Sequence, residues 1–205
     1  MVLEEGLKGD ARVIRAEARY RLLKGKGIRI FSRPAKLEKW LEEQGIKLED
    51  CEHLITDAGQ IVPGFTTQTD GAEFFVHSPF AIRVGDELQD RNTASLVLHI
   101  TFDVQGQTTR VMLGADTPHQ AWTDIVNITL YHKRPERLSW DVFKLPHHCS
   151  YTALSDEKGK DKTKPVPKVK WLFEQGGDGG YIVSTSKPIP TDDSDDQPPH
   201  RQAAN

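Results

Sequence analysis

The chain has 205 residues, of which 37% are hydrophobic and 28% are charged, and its formal net charge is -3. This length and composition predict one soluble globular domain with a sizeable core. The net charge argues against a strong general attraction to nucleic acid, although local patches can differ.

Neither a membrane segment nor a disulfide framework is predicted. No apolar run approaches the roughly 20 residues that span a bilayer, and there is no signal-peptide pattern. The two cysteines, Cys51 and Cys149, lack any CxxC spacing. Free thiols suit a reducing compartment, so we expect no membrane partner and a cytoplasmic location, with the bacterial cytoplasm as the default.

Residues 1–50 are predicted to form a helical segment of the same domain. The first helix carries one stripe of small and apolar residues: Leu7, Ala11, Ile14, Ala18 and Leu22. This stripe has the spacing of a helix with one inward face. Glycines end that helix before a short strand at residues 28–31. Pro34 then opens a second helix, which is predicted over residues 35–44.

Residues 51–190 are predicted to alternate between strands and helices. Predicted strands cover residues 60–65, 72–77, 92–103, 109–116, 140–145 and 180–186, and predicted helices cover residues 118–132 and 168–175. The strands are short apolar runs bounded by turn residues, and the helices have apolar residues at helical spacing. The last strand is expected to be parallel to its neighbour and buried.

Two imidazoles follow the fifth of these strands. Pro146 ends that strand, and His147, His148, Cys149 and Ser150 come next. Reactive side chains are often held where strands open into loops, and neutral imidazole is the commonest ligand of zinc-like ions. These residues alone leave one alternative open, a surface loop that happens to contain two histidines.

A carboxylate is expected to meet this histidine pair. Asp116 ends a predicted strand, and the helix 118–132 leads from it to the strand before the histidines. Side chains at the carboxyl ends of neighbouring strands converge on one rim in α/β units, so we expect Asp116 and His147 to lie close together. His77 and His99 lie on strands and are interpreted as packed or surface histidines rather than ligands.

Three sequence blocks resemble the second half of the metallo-β-lactamase superfamily. They are Asn-x-x-Ser-Leu-Val-Leu from Asn92, Leu-Gly-Ala-Asp ending at Asp116, and Asp-Val-Phe-Lys-Leu-Pro-His-His-x-Ser ending at Ser150. Within that superfamily the chain is most similar to soluble hydrolases that resemble the metallohydrolase domain of bacterial competence DNA-uptake proteins. The resemblance covers about residues 59–186. It implies an α/β fold, the C-terminal half of an αββα sandwich with a mixed β-sheet.

The resemblance also implies a centre of two divalent ions, with zinc expected and manganese as the alternative. In the family a carboxylate bridges the two ions, and this role is carried to Asp116. A histidine ligates the second ion, and this role is carried to His147 with His148 as the fallback. Asp116 and His148 are assigned as catalytic, because the ions lower the pKa of a bound water and polarise the substrate.

The same resemblance assigns roles near the substrate. Ser184 and His200 are similar to a late serine and histidine of the family. His200 is assigned as catalytic, since it could act as a general acid or contact a phosphate oxygen. Ser150 and Asp141 are candidates for orienting the imidazoles, and Ser150 is also a substrate-binding candidate.

The chain departs from the family in three places. It has Gly-Ala-Asp116 where the family has Gly-Asp, Cys149 stands where the family has glycine, and the family's His-x-His-x-Asp-His motif is not in the sequence. Asp116 and His147 give two ligands where zinc normally needs three or four. We therefore expect an incomplete hydrolase whose partner is the missing N-terminal half of the fold, from the same or an adjacent gene. A degenerate or split protein is the alternative.

Residues 156–170, here called the lysine loop, hold six lysines against three acidic residues. The loop is predicted to be mobile. Because it follows the histidine pair, Lys158 and Lys160 could guide a nucleic acid towards a metal centre. A solvated loop without a partner is the alternative. Residues 191–205 are predicted to be an acidic, disordered tail, although its last residues resemble the opening of a helix.

The resemblance implies a metal-dependent hydrolase, and together with the lysine loop it implies action on phosphodiester bonds of nucleic acids or nucleotides. The chain alone is expected to be inactive, because the family's first metal-binding motif is missing. The alternatives are a non-catalytic interaction module with the same fold and a hydrolase of esters or lactones.

Overall fold

The computed structural model describes residues 6–33, 35–80, 94–192 and 196–205. The start of the strand predicted at residues 92–103 and part of the predicted acidic tail lie outside these described residues. Within them, no helix is long and apolar enough to cross a lipid bilayer.

The N-terminal part contains two helices and a small parallel sheet. Helix α1 spans Gly9–Leu23, β1 Ile30–Phe31, α2 Ala35–Glu43 and β2 Ile55–Thr56, with a 3₁₀ segment over Leu48–Leu54. The core of this part consists of Leu22, Leu37, Leu41, Cys51 and Leu54. Both predicted helices are confirmed. The predicted apolar stripe is only partly buried, because Ile14 is 52% exposed whereas Leu22 lies in the core.

The rest of the chain is organised around a five-stranded sheet. Its elements are α3 (Thr67–Asp70), β3 (Ala72–Ser78), β4 (Val97–Val104), β5 (Gln107–Leu113), α4 (His119–Tyr131), β6 (Trp140–Lys144), α5 (Pro167–Phe173), β7 (Gly176–Val183) and α6 (Arg201–Ala204). The strand order is β3-β4-β5-β6-β7. β3, β4 and β5 are antiparallel, whereas β5, β6 and β7 are parallel. The predicted α/β class with a mixed sheet is therefore confirmed.

Helices α4 and α5 cover one face of this sheet. The buried core there consists of Val97, Met112, Trp122, Ile125, Val126, Leu138, Trp140, Phe143, Val169 and Leu172. The rings of Trp122 and Phe143 have centroids 5.5 Å apart, and Trp140 Nε1 donates to the Leu172 carbonyl over 3.0 Å. Each large side chain buried here contributes about 1.5–3 kcal/mol. This packing holds the parallel strands β5 and β6 in place under α4.

The opposite face of the sheet, here called the open face, is also apolar. Side chains alternate between the two faces along a strand, and the register sets neighbours side by side. One row across all five strands consists of Tyr181, Val142, Val111, Ile100 and Phe74. Exposure along this row is 71% at Tyr181 on the edge strand and 6% at Ile100. The open face is therefore least covered near β7.

Two strand predictions were wrong. Residues 60–65 form no strand, and Ile61 makes only a single antiparallel bridge with Phe75. Pro63 cannot donate to a sheet ladder, and Gly64 has φ +92°, so the chain turns away there. The last strand is parallel, as predicted, but it is not buried. It forms the edge of the described sheet, and Tyr181 therefore stays exposed.

The lysine loop and the described part of the tail are held by hydrogen bonds to other parts of the chain. The mobility of the loop and the disorder of the tail stay predictions. His119 Nε2 donates to the Asp156 carboxylate over 2.9 Å, which ties the start of the loop to α4. At the other end, the Val166 amide donates to the Leu154 carbonyl over 2.9 Å. The predicted helix opening at the end of the chain is confirmed as α6, which packs against the loop.

Candidate functional site

Asp116 and His148 meet at one edge of the sheet. Oδ1 of Asp116 and Nε2 of His148 are 3.7 Å apart, and both side chains are about half exposed. Asp116 follows β5, and His148 follows β6, and these two strands are parallel neighbours. The carboxyl ends of the strands therefore lie side by side, which brings the two side chains together.

His147 contacts the same turn through its main chain. Its amide donates to the carbonyl of Ala115 over 2.9 Å. The expected partner of Asp116 was the side chain of His147, whereas the structure places the His148 ring beside the carboxylate. Both histidines thus lie at the Asp116 turn, with His148 as the direct neighbour.

The backbone at this site is left-handed at four residues that are not glycine. The φ angles are 41° at Ala115, 48° at His147, 52° at His148 and 66° at Cys149. Each such residue costs roughly 1 kcal/mol or more relative to a relaxed conformation. Strain of this kind clusters where a functional arrangement is held in place by the surrounding fold. Here it lies directly beside both members of the Asp116–His148 pair.

A carbonyl oxygen sets the tautomer of His148. Nδ1 of His148 lies 3.0 Å from the carbonyl oxygen of Thr185, just after β7. A carbonyl can only accept a hydrogen bond, so Nδ1 carries the hydrogen and donates. In the neutral ring, Nε2 then has a lone pair and faces Asp116. This is the arrangement that orients an imidazole to act as a ligand.

A chain of hydroxyl groups holds the ring of His147. Nδ1 of His147 lies 3.1 Å from Thr152 Oγ1, which in turn lies 3.0 Å from Ser150 Oγ. Ser150 is only 3% exposed. It therefore supports the His147 ring through Thr152 instead of lining an open surface.

His200 is a buried anchor of the C-terminal segment. Its Nδ1 accepts from the Tyr151 amide, and its Nε2 donates to the Asp196 carbonyl, each over 3.4 Å. Burial lowers the pKa of His200 below its usual value, against the opposing effect of the bond to Asp196. The positive charge of Lys158 also lowers it.

The remaining candidates are spread around this site. Ser184 is exposed, and its hydroxyl donates to Ser186 Oγ over 2.8 Å. Lys160 is exposed on the lysine loop, and Lys158 is partly buried. Asp141 does not orient an imidazole, because its carboxylate accepts from the Arg110 amide over 2.7 Å and pairs with the Arg110 side chain.

Thr152, Thr185 and Lys144 were missed by the sequence prediction. Lys144 Nζ donates to the Ala115 carbonyl over 3.4 Å, at the Asp116 turn. Thr185 follows β7, whose parallel pairing with β6 places it on the same rim. That pairing was the available signal for Thr185. Thr152 carries no comparable signal, because its contact with His147 depends on the left-handed turn between them.

A second histidine pair, His77 and His99, is buried in the sheet, which selects the packed alternative of the prediction over the surface one. Nε2 of His77 donates to the Arg137 carbonyl and Nε2 of His99 to the Ser139 carbonyl, each over 2.9 Å. Burial lowers the pKa of His77 to about 3 and also lowers that of His99. Burial similarly raises the pKa of the Cys149 thiol, so this cysteine is a poor thiolate nucleophile.

The described residues do not contain a complete set of metal ligands. No group of three or more His, Cys, Asp or Glu side chains that could hold a metal ion occurs in residues 6–33, 35–80, 94–192 and 196–205. Zinc sites in proteins use three or four protein ligands. Asp116 and His148 offer two.

No protein-family model matches the chain, and no curated protein or solved structure matches it significantly.

Proposed function

We propose that this chain is the C-terminal half of a metal-dependent hydrolase with a metallo-β-lactamase type of fold, acting on phosphodiester bonds of nucleic acids or nucleotides. The observation that carries the proposal is the Asp116–His148 pair, 3.7 Å apart at the carboxyl ends of two parallel strands. A carboxylate and an imidazole nitrogen with a lone pair are both ligands of zinc-like ions.

The residues present fit one part of the implied centre. Asp116 and His148 would hold an ion, with zinc expected and manganese as the alternative, and His147 is the neighbouring donor. When bound, such an ion lowers the pKa of a water molecule and polarises a phosphoryl oxygen. The chain's own contribution is orientation, because Thr185 fixes the ring of His148 and Thr152 holds that of His147.

The further ligands would come from the missing N-terminal half of the fold. The β7 end of the open face supports such a partner, since Tyr181 is 71% exposed there whereas Ile100 in the middle of the row is already buried. A second sheet packed on this face would remove that apolar surface from water. It would also complete an αββα sandwich, which is the fold of the family that the chain resembles.

The backbone of the turn after β6 supports the family resemblance, although the residue at position 149 differs from that of the family. Cys149 stands where the family has glycine, and its φ of 66° lies in the region that glycine favours. The chain therefore has the backbone shape that glycine would provide, at a cost in strain. A costly conformation beside His148 supports a role for this turn.

The lysine loop supports a polyanionic substrate. Lys160, Lys162 and Lys164 are exposed, and the loop follows the histidine turn in the chain. Lysines that neutralise phosphates release counterions, which drives binding and makes it salt-dependent. A phosphodiester backbone bound along this loop would pass beside the Asp116–His148 pair.

A non-catalytic interaction module is the second candidate. It is favoured by the number of ligands, since the described residues offer two where a zinc site needs three or four. Such a module would bind its partner through the open face and would hold no metal when that partner is present.

The complete protein tests the proposal through the variant Asp116→Ala. We expect this change to abolish metal-dependent phosphodiester hydrolysis with little effect on the fold, because the side chain is half exposed and leaves no core cavity. Asp178→Ala, which changes an exposed carboxylate on β7, is the matched control and should keep full activity. Hydrolysis at the wild-type rate by Asp116→Ala would overturn the assignment.

A further inference from the structure

The lysine loop closes on itself around a buried threonine. Thr163 is 1% exposed, and its hydroxyl donates to the carbonyl of Lys158 over 2.6 Å. Gly159 has φ +76°, and a Cβ at this position would overlap the carbonyl oxygen of Lys162. The loop therefore requires glycine at its tightest point and a hydroxyl at its centre.

The C-terminal residues 196–205, here called the C-terminal strap, fill the inside of this loop. The Thr163 amide donates to the Gln202 carbonyl over 2.9 Å, and Gln202 Nε2 donates to the Lys160 carbonyl over 3.1 Å. Asn205 Nδ2 donates to the Asp161 carbonyl over 2.8 Å. Gln202 is only 2% exposed. The strap therefore supplies hydrogen-bond partners for the loop backbone, with Gln202 buried between the two segments.

The same strap reaches the histidine turn. The amide of His200 donates to the Cys149 carbonyl over 3.0 Å, and the rings of His200 and Tyr151 have centroids 5.0 Å apart. The strap therefore connects the lysine loop to the turn that carries His147 and His148. It sets the position of one relative to the other.

This arrangement separates the two sides of the loop. The carbonyls of Lys158, Lys160 and Asp161 are bound by donors inside the loop, whereas the side chains of Lys160 and Lys162 are exposed. The cationic groups consequently extend from a backbone that is already ordered. A surface that is ordered before binding loses less conformational entropy when a polyanion binds to it.

We propose that the C-terminal strap holds the lysine loop as a ready-formed binding surface for a nucleic-acid backbone, and so controls nucleic-acid binding beside the Asp116–His148 pair. The inference rests on the proposed function in taking nucleic acid as the polyanion. Thr163 and Gln202 are its positioning residues, because they act on the lysines through the loop backbone.

Binding of a fluorescent DNA duplex over a series of salt concentrations tests the inference. Thr163→Val keeps the shape and the charge but removes the hydroxyl, and we expect an affinity about fivefold weaker, because the loop must then be ordered on binding. The slope of log affinity against log salt should stay unchanged, since no phosphate contact is lost. Thr163→Ser should restore wild-type affinity, whereas Lys160→Gln should reduce the slope.

Tryptic cleavage after the loop lysines gives a readout that uses neither metal nor DNA. Thr163→Val should be cut several-fold faster than wild type in the loop, and Asn205→Ala, at the exposed end of the strap, should show a smaller increase. Cleavage and DNA affinity at wild-type levels in both variants would overturn the role of the strap.

If the wild-type chain shows no salt-dependent DNA binding, the lysine loop is not a nucleic-acid-binding surface and the inference is overturned. The metal centre is tested separately by Asp116→Ala, so the two failures are distinguishable.

Discussion

The molecule holds two histidine pairs on one sheet, and their surroundings give them opposite properties. His77 and His99 are 3% and 1% exposed, and each uses Nε2 to donate to a main-chain carbonyl. His148 is half exposed, and a carbonyl binds its Nδ1 instead, so its Nε2 faces Asp116. Under the proposed function the pair beside the carboxylate binds an ion, whereas the buried pair holds the fold together.

The position of each pair along its strands explains the difference. His77 and His99 lie within antiparallel strands beneath α4, where burial excludes a positive charge. His147 and His148 follow a parallel strand, at the edge where loops begin. The same residue type is therefore packed in the middle of the sheet and exposed beside a carboxylate at its edge.

The largest effect expected from the difference between the two histidine pairs is a loss of stability at low pH. The pKa of His77 is lowered from 6.5 to about 3 in the fold, so the unfolded chain binds more protons between these values. The free energy of unfolding is thus at its full value above pH 6.5 and falls as the pH drops towards 3. The linkage corresponds to a loss of about 5 kcal/mol. Urea unfolding at a series of pH values measures it.

Two variants isolate the contribution of the buried pair. His77→Phe keeps a ring in the core. It should lower the free energy of unfolding at neutral pH and should reduce the fall of that free energy at acid pH. His132→Gln, at an exposed histidine after α4, should leave this fall unchanged. A fall at acid pH that is the same in wild type and His77→Phe would contradict the neutral, buried state of His77.

At the edge of the sheet we expect a smaller effect of opposite sign, which is a gain in stability. His148 has φ 52°, which glycine adopts without a steric penalty. We expect His148→Gly to raise the free energy of unfolding by about 1 kcal/mol, because the relief of strain exceeds the added entropy of the unfolded chain. His148→Ala keeps the strained backbone and should be close to neutral. A lower stability of the glycine variant would show that the turn is not strained.

Much of the fold was predictable because local patterns and tertiary packing agree. Strand β3, helix α4 and strand β6 each have a clear apolar period and a clear stop, and they occur where predicted. The strand prediction for residues 60–65 was wrong because Pro63 and Gly64 disfavour a strand more strongly than the apolar residues around them favour it. The exposure of β7 was not predictable, because an apolar run such as Tyr181–Val183 looks the same at an edge as in the middle of a sheet.

The candidate site was predictable in its location but not in its detail. A parallel crossover alone indicates that Asp116 and the histidine turn share one rim. The choice between His147 and His148 depends on consecutive left-handed residues, which sequence patterns do not predict for histidine. The folded lysine loop depends on Gln202 and Asn205, and contacts across such a distance in the chain leave no local signal.

Calorimetric titration of this chain with zinc tests the central claim most directly, that Asp116 and His148 form a ligand pair. We predict measurable binding by the wild type, at least tenfold weaker binding by Asp116→Ala and His148→Ala, and wild-type binding by His77→Phe, because the buried ring faces no carboxylate. Equal binding by the wild type and His148→Ala would contradict the claim.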